Sequence, residues 1–269
     1  MGSSLSCFGV RIGLRASTAS GLATLTSWLP RAVKPGSAPV VDALYSYVAG
    51  GRGARAGTKR FHVLYRDATR LARSLDLEEV RRAFERDLSM AVGAGARRRI
   101  FVHAGVVSFD GGAVLIPGKS FSGKTTLVRA LVDQGGAYYS DEFAVLDSRG
   151  RVFPWAEALA IRRNGAMEAA QPHAPEALGL TIGRKSAPVR MVVLTSFEEG
   201  KRFRPRRMSP AAGALGLLAH TLPAQARPRA TLRALASAVS GAKVIRGLRG
   251  DAREAARAIV KALESRSVP

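Results

Sequence analysis

The sequence predicts an α/β protein with a mixed sheet around a strand–loop–helix unit, an N-terminal α+β portion and a helical C-terminal tail. Three observations favour this class. An apolar run, a glycine-rich segment and a helical pattern follow one another over residues 112–134. Two apolar runs joined by "DGG" over residues 100–118 are typical of an antiparallel hairpin. Residues 8–97 combine alternating apolar and polar positions with one amphipathic stretch.

The chain has 269 residues, which is enough for one large domain or for a large and a small one. The pattern changes near residue 98. We therefore expect an N-terminal α+β portion over 1–97 and a loop-containing domain over 98–269. The first portion forms either a separate lobe or extra strands on the central sheet, and the sequence leaves both open.

Composition excludes several kinds of protein. Hydrophobic residues make up 46% of the chain, and no run approaches the ~18 apolar residues of a membrane span. The N-terminus lacks the basic and apolar segments of a secretory signal. The single cysteine, Cys7, cannot form an internal disulfide. We therefore expect a cytoplasmic protein without a membrane partner.

The formal net charge of +22 raises the question of nucleic-acid binding. The 42 basic residues, most of them arginines, are spread along the chain, and the densest clusters, at 97–99 and 201–207, are short. A nucleic-acid interface is expected to show a concentrated basic stripe or aromatic residues between basic ones. The charge therefore favours a solvated basic surface over specific nucleic-acid binding, and it leaves attraction of an acidic protein open.

Residues 1–97 are predicted to contain three strands and one helix. The strands are "FGVRIGLR" (8–15), "ALYSYV" (43–48) and "RFHVLYR" (60–66), and a glycine-rich loop joins the last two. The helix lies in "LDLEEVRRAFERDLSMAVGAGA", whose apolar residues at helical spacing are Leu77, Val80, Phe84, Leu88 and Val92.

Beyond residue 98 the hairpin leads through the glycine-rich segment into a helix that starts at Lys124 and stops at Gly135-Gly136. Short strands "FAVLD" and "RVFPW" and a longer one, "PVRMVVLTSF", follow. The tail is predicted to be mostly helical, with Ser209 and Asp251 as N-caps. Because the strand before the loop belongs to an antiparallel hairpin, the pattern argues against the parallel layout of ordinary GTPases and motor proteins.

The segment "GKSFSGKT" has the spacing of a phosphate-binding (Walker A) loop, with Gly118, four residues, and then Gly123-Lys124-Thr125. In such a loop the backbone N–H groups point inward and the helix N-terminus adds positive potential. Lys124 would contact the terminal phosphates and the Thr125 hydroxyl would hold Mg²⁺. The candidate nucleotide-binding residues are Gly118, Lys119, Ser120, Phe121, Ser122, Gly123, Lys124, Thr125 and Thr126.

An acidic residue is expected beside this loop, and two positions compete. A helix from Lys124 to Gln134 is about 16 Å long at ~1.5 Å per residue. A strand at ~3.3 Å per residue returns over that length in roughly five residues. Counting from Ala137 reaches Asp141, so the pair Asp141-Glu142 is preferred. Asp147 would then lie at the far end of the next strand, where it suits a turn.

His103 lies on the first strand of the hairpin. If the turn centres on Gly111-Gly112, Asp110 pairs with Ala113 and His103 lies opposite residue 120, beside the loop. A lone histidine on an apolar strand is more often structural. In this register, however, His103 can orient an aspartate or share its proton.

His103 ahead of the loop, "GKSFSGKT" and "YYSDEFAVLD" together resemble the catalytic domain of the HPr kinase/phosphorylase family, which is related in fold to ATP-dependent phosphoenolpyruvate carboxykinases. The resemblance is clearest over residues 100–147 and weaker through "LAIRR" and "GRKSAPVRMVVL". It implies a mixed-sheet P-loop kinase core that uses ATP and Mg²⁺ to phosphorylate a serine hydroxyl.

The resemblance also implies roles for individual residues. His103 matches the active-site histidine of the family, and Asp141 matches the first aspartate of its acidic pair, the base toward the hydroxyl. Glu142 stands where the family has a second aspartate. Metal ligation is thereby implied for Thr125, Asp141 and Glu142, and phosphate contacts for Arg162 and Arg184.

The expected function is therefore an ATP- and Mg²⁺-dependent kinase that acts on a hydroxyl of a protein, a peptide or a small molecule. The family's signature segment is not recognisable, and residues 1–97 are shorter than its regulatory domain, so a related kinase is favoured over HPr kinase itself. The alternative is a nucleotide-binding switch or ATPase without transfer to a substrate, but such a protein needs no base. The acceptor stays open, and a homo-oligomer is compatible with the sequence.

Overall fold

The computed structural model describes residues 2–52, 59–119, 122–156, 159–161, 171–173, 175–222 and 224–265. These residues form a mixed α/β structure with two large mixed sheets and six helices, and the chain divides into two compact units, Met1–Arg98 and Arg99–Pro269. Residues 53–58 of the predicted glycine-rich loop, Ser120, Phe121 and Arg162 lie outside the described residues.

The first unit has a six-stranded sheet of its own and two helices, α1 (Ala19–Ser27) and α2 (Leu77–Gly95). Its strands are β1 (Gly2–Cys7), β2 (Val10–Ala16), β3 (Lys34–Pro35), β4 (Ala43–Val48), β5 (Gly51–Arg52), β6 (Lys59–Arg60), β7 (His62–Arg66) and β8 (Thr69–Ser74). The strand order in the large sheet is β3-β1-β2-β4-β7-β8, and β5 pairs separately with β6.

Two sequence predictions for this unit have different outcomes. The amphipathic helix is confirmed as α2, which Asp76 caps by accepting from the backbone N–H of Glu78, and which buries Phe84 and Leu88. The predicted strand 8–15 starts too early. Phe8 and Gly9 have φ of 48° and 86° and form the turn between β1 and β2. Alternating apolarity extends across both positions, so periodicity alone could not place this turn.

The second unit has four helices: α3 (Lys124–Val132), α4 (Pro210–Leu218), α5 (Pro228–Val239) and α6 (Ala252–Glu264). Its strands are β9 (Ile100–Phe109), β10 (Gly112–Pro117), β11 (Ala137–Ser140), β12 (Phe143–Leu146), β13 (Arg151–Phe153), β14 (Leu159–Ile161), β15 (Gln171–His173), β16 (Ala187–Phe197), β17 (Arg206–Met208) and β18 (Lys243–Arg249).

Eight of these strands form one mixed sheet along the path β10-β9-β12-β13-β16-β18-β17, with β11 on β9. Strand β10 is antiparallel to β9 but parallel to β16, and β16 is parallel to β18. The pairing of β10 with β16 closes five strands into a ring. Parallel strands end at the same edge of a sheet, so Pro117, Phe197 and Arg249 terminate their strands on the side where the phosphate loop begins.

Both faces of this sheet are covered. One apolar core includes Leu115 of β10 and Leu235 of α5, and the other includes Ile116 of β10 and residues of α3 and α6 such as Leu127 and Ile259. Successive β10 side chains therefore enter opposite cores. This burial explains the unbroken apolar run before the loop, which differs from the alternating pattern of a half-exposed strand.

The hairpin between β9 and β10 turns one residue earlier than predicted. Phe109 pairs with Gly112, and Asp110 and Gly111 have φ of 46° and 74°, as in a type I′ turn. Gly112 belongs to β10, where a Cβ atom would lie 1.9 Å from Cδ of Arg190. The prediction that His103 faces residue 120 is therefore wrong, because its carbonyl accepts from the N–H of Gly118.

The mostly helical C-terminal tail that was predicted contains α4, α5 and α6, and it also contains a strand, β18. The N-caps are confirmed, since the Ser209 hydroxyl accepts from the N–H of Ala212 and the Asp251 carboxylate from that of Glu254. Strand β17 ends just before Ser209, and β18, inside the tail, is an interior strand between β16 and β17. None of the helices in the described part of the chain is long and apolar enough to cross a bilayer.

Candidate functional site

The glycine-rich segment connects the end of β10 with the first turn of α3. Gly123 adopts a left-handed conformation, with φ 77° and ψ 20°, directly before the helical Lys124. A left-handed residue followed by a right-handed one turns successive N–H groups toward the same side, which forms an anion-binding concavity. The N-terminus of α3 adds its partial positive charge there. At Gly123-Lys124 the described part of the loop therefore has a conformation that occurs in anion-binding concavities.

Lys124 is folded back into its own loop. Its residue exposure is 6%, and Nζ donates to the carbonyl oxygens of Gly118 at 2.9 Å and Lys119 at 2.8 Å. The same atom lies 3.4 Å from Nε2 of His103. Burial lowers the pKa of Lys124, and the nearby carboxylates of Glu142 and Asp141 oppose that shift. The ammonium group is therefore held inside the loop, within reach of any phosphate that the loop binds.

Asp141 follows β11 and contacts the start of α3. Thr125 Oγ1 donates to its Oδ2 at 2.8 Å, and the Tyr138 hydroxyl donates to its Oδ1 at 2.9 Å. Burial raises the pKa of Asp141, and these two hydrogen bonds oppose the rise. The carboxylate is thus oriented by two hydroxyl groups, one of which belongs to the loop motif.

Glu142 and His103 form a second pair beside the first. Glu142 Oε1 lies 3.1 Å from His103 Nε2, and the pairing of β12 with β9 places Phe143 opposite His103. The Ser140 hydroxyl accepts from the backbone N–H groups of Glu142 and Phe143, which fixes the tight connection between β11 and β12. His103 therefore lies between Lys124 and Glu142.

Of the three predicted Mg²⁺ ligands, Thr125 and Asp141 are in contact, whereas the carboxylate of Glu142 contacts His103 in this structure. No group of three or more His, Cys, Asp and Glu side chains capable of holding a metal ion occurs among the described residues. Magnesium at phosphate sites commonly uses one or two carboxylates, with phosphates and water completing the octahedron. The 2.8 Å between Thr125 Oγ1 and Asp141 Oδ2 is close to the roughly 3 Å that separates adjacent oxygens around an ion with ~2.1 Å bonds.

Two other residues that were predicted to bind the nucleotide, Lys119 and Thr126, are exposed. Arg184 is exposed in the segment where the N–H of Gly183 donates to Tyr138. Asp147 lies at the turn after β12, where its Oδ1 accepts from the N–H groups of Arg149 and Arg151.

Two functional candidates escaped the sequence analysis. Arg249, at the end of β18, is 2% exposed and donates from Nη2 to the carbonyls of Ser122 and Gly123 at 3.0 and 2.8 Å. His220 follows α4, and its carbonyl accepts from the N–H of His103 at 2.8 Å. Burial first, and then the charges of His103 and the loop lysines, lower the pKa of His220. Neither residue had a sequence signal: "KVIRGLR" has only three apolar residues among seven, and His220 lies in no recognisable motif.

Replacing Gly123 by alanine is expected to remove nucleotide binding. A left-handed residue with a Cβ is strained by about 1–2 kcal/mol, and this Cβ would also lie 2.5 Å from Nη2 of Arg249. Gly111→Ala is the matched control, because Gly111 has φ 74° and open space around its Cβ position. Thermal melts and calorimetry with Mg-ATP should show destabilisation in both variants but lost affinity only in Gly123→Ala. Unchanged affinity in Gly123→Ala would mean that the loop is not the binding site.

Comparisons with known proteins give little beyond this geometry. No protein-family model and no curated protein matches the chain. Among solved structures it matches the HPr(Ser) kinase/phosphatase from Coxiella burnetii with 15% sequence identity and a TM-score of 0.28, over 61% of this chain and 92% of that one. A likeness at that TM-score carries no argument about fold or function, so the interpretation of the site depends on its own geometry.

Proposed function

We propose that this chain is an ATP- and Mg²⁺-dependent phosphotransferase that moves the γ-phosphoryl group of ATP to a hydroxyl, with serine as the preferred acceptor, on a protein, a peptide or a small molecule. The observation that carries the proposal is the 2.8 Å hydrogen bond from Thr125 Oγ1 to Asp141. A phosphate loop alone supports nucleotide binding. A half-buried carboxylate that is hydrogen-bonded to that loop also supports transfer, because it can accept a proton where the terminal phosphate would lie.

In this proposal the loop supplies binding and Asp141 supplies the base. The N–H groups at the start of α3 bind phosphate oxygens, and Lys124 exchanges its two carbonyl acceptors for the β- and γ-phosphates. Bound Mg²⁺ would neutralise charge that develops on the phosphates. Asp141 accepts the proton of the attacking hydroxyl, and its raised pKa makes it a better acceptor than an ordinary aspartate.

The charges around the loop suit a polyphosphate. Lys119, Lys124 and Arg249 lie in or against the loop, whereas Asp141 and Glu142 are the carboxylates that contact the loop or its histidine. The Glu142–His103 pair keeps the imidazole near Lys124. Positive charge around backbone N–H donors favours a ligand with several negative charges.

The test is single-turnover transfer from γ-labelled Mg-ATP to arrays of serine-containing peptides and to water. Transfer to some acceptor that disappears in Asp141→Asn supports the proposal. ATP binding without transfer to any acceptor, or hydrolysis that survives in Asp141→Asn, favours the nucleotide-binding switch instead. Absence of Mg-ATP binding by the wild-type protein would refute both readings.

A further inference from the structure

The guanidinium of Arg249 is buried against the outer side of the phosphate loop. Its Nη2 bonds the carbonyl oxygens of Ser122 and Gly123, and its Nε has no hydrogen-bond partner among the described residues. Strand β18 places it opposite Phe197 of β16, whose ring centroid lies 5.8 Å from the guanidinium carbon. Arg249 therefore connects the end of β18 to the phosphate loop through hydrogen bonds to two backbone carbonyls.

These two contacts contribute to where the loop N–H groups point, and the Gly123 carbonyl also accepts from the N–H of Leu127 in the first turn of α3 at 3.2 Å. The carbonyl of Ser122 shares a peptide plane with the N–H of Gly123, and the carbonyl of Gly123 shares one with the N–H of Lys124. In a trans peptide the C=O and N–H point in opposite directions. A donor that holds both oxygens on the outer side therefore turns both N–H groups inward, toward the phosphate side.

We propose that Arg249 is a positioning residue that orients the N–H groups of Gly123 and Lys124 toward bound phosphate. The proposal rests on the proposed nucleotide binding by this loop and adds a residue to it. Arg249 does not contact the phosphates in this arrangement, because it lies behind the peptide planes that it fixes. Its effect is therefore confined to ligands that carry phosphate.

The surroundings of Arg249 agree with this role. No carboxylate forms an ion pair with it in the part of the chain that the structure describes. A buried cation without a counter-ion is unfavourable, and burial lowers the pKa of Arg249 accordingly. A polyphosphate on the other side of the loop would compensate that charge. A Cβ atom at Gly123 would lie 2.5 Å from Nη2 of Arg249, so the position of Arg249 requires a glycine at residue 123.

The experiment compares wild type with Arg249→Met, Arg249→Lys and the control Arg246→Met, whose side chain is exposed on the same strand. Calorimetry with Mg-ADP and with adenosine separates the phosphate contribution from that of the base and ribose. Arg249→Met should lose about tenfold to a hundredfold in ADP affinity, as expected for lost hydrogen bonds from a charged donor, and nothing in adenosine affinity. Arg249→Lys should recover part of the loss, and Arg246→Met should match the wild type.

Each other result contradicts the proposal in a recognisable way. Equal ADP affinity in wild type and a folded Arg249→Met would overturn the role of Arg249 alone. An equal loss for ADP and adenosine would reduce it to a general structural residue. Circular dichroism shows whether Arg249→Met folds. If it does not, Arg249→Lys is tested instead, and a ratio of ADP affinity to adenosine affinity equal to that of the wild type would overturn the role. A wild type that binds ADP no better than adenosine would overturn the proposed function, and this inference with it.

Discussion

Replacing Lys124 by alanine is expected to lower the affinity for Mg-ATP by about a hundredfold or more, as the loss of two charge-assisted hydrogen bonds implies. The ammonium group already lies inside the loop, where it bonds the carbonyls of Gly118 and Lys119. Gly118 is buried and Lys119 is exposed, so the variant leaves one buried carbonyl without this donor and should melt at a somewhat lower temperature than the wild type. Isothermal titration calorimetry with Mg-ATP measures the change, and thermal melts check folding.

Lys119→Ala is the control for this experiment. It removes the same unit of charge from the same loop, but from an exposed side chain. If only net charge mattered, both variants would weaken binding equally. We expect the Lys119 variant to lose far less, with most of its loss screened by salt. Equal affinities in wild type and Lys124→Ala would remove the basis for a nucleotide site here.

The sequence could predict the parts of the fold that depend on short, local patterns. The strand before Gly118, the helix that starts at Lys124 and the caps Ser209 and Asp251 each depend on residues a few positions apart. The return distance along β11 likewise follows from helix and strand rises, and the structure places Asp141 beside Thr125. Helix and strand lengths were enough to predict the position of Asp141 because the chain returns directly from α3 along β11 to the loop.

The parts that sequence could not predict depend on distant contacts or on choices between similar turns. Asp110-Gly111 and Gly111-Gly112 are both plausible hairpin turns, and the packing of Arg190 on Gly112 decides between them. Arg249 and Ser122 are separated by 127 positions, so their contact depends on the parallel order of β10, β16 and β18. The tail was predicted to be mostly helical from its caps, and β18 was missed because "KVIRGLR" has three basic residues and a glycine among its seven residues.

The role of the two acidic residues is the other prediction with a large expected effect. Asp141→Asn should retain nucleotide affinity while phosphoryl transfer falls by about a hundredfold or more, as is typical when a general base is removed. The asparagine keeps the size of the side chain and an oxygen that can accept from Thr125 or Tyr138. It cannot accept the proton of an attacking hydroxyl. Calorimetry and single-turnover transfer on the same preparation measure the two effects.

Two further variants show whether the loss is specific to Asp141. Asp147→Asn makes the same chemical change at a turn, where the amide oxygen can still accept from Arg149 and Arg151. It should cost little stability and leave transfer intact. Glu142→Ala removes the oxygens that lie beside His103 and should raise the Mg²⁺ concentration needed for transfer, with a smaller effect once Mg²⁺ saturates.

The pattern across the three variants decides the assignment. Lost transfer in Asp147→Asn with full activity in Asp141→Asn would mean that the wrong aspartate carries the chemistry here. A higher Mg²⁺ requirement in Asp141→Asn, together with lost transfer at saturating Mg²⁺ in Glu142→Ala, would exchange the two roles and make Asp141 the metal ligand. We expect the first arrangement, because burial raises the pKa of Asp141 and so favours it as the proton acceptor, whereas Glu142, whose side chain is 45% exposed, can turn from His103 to a bound Mg²⁺.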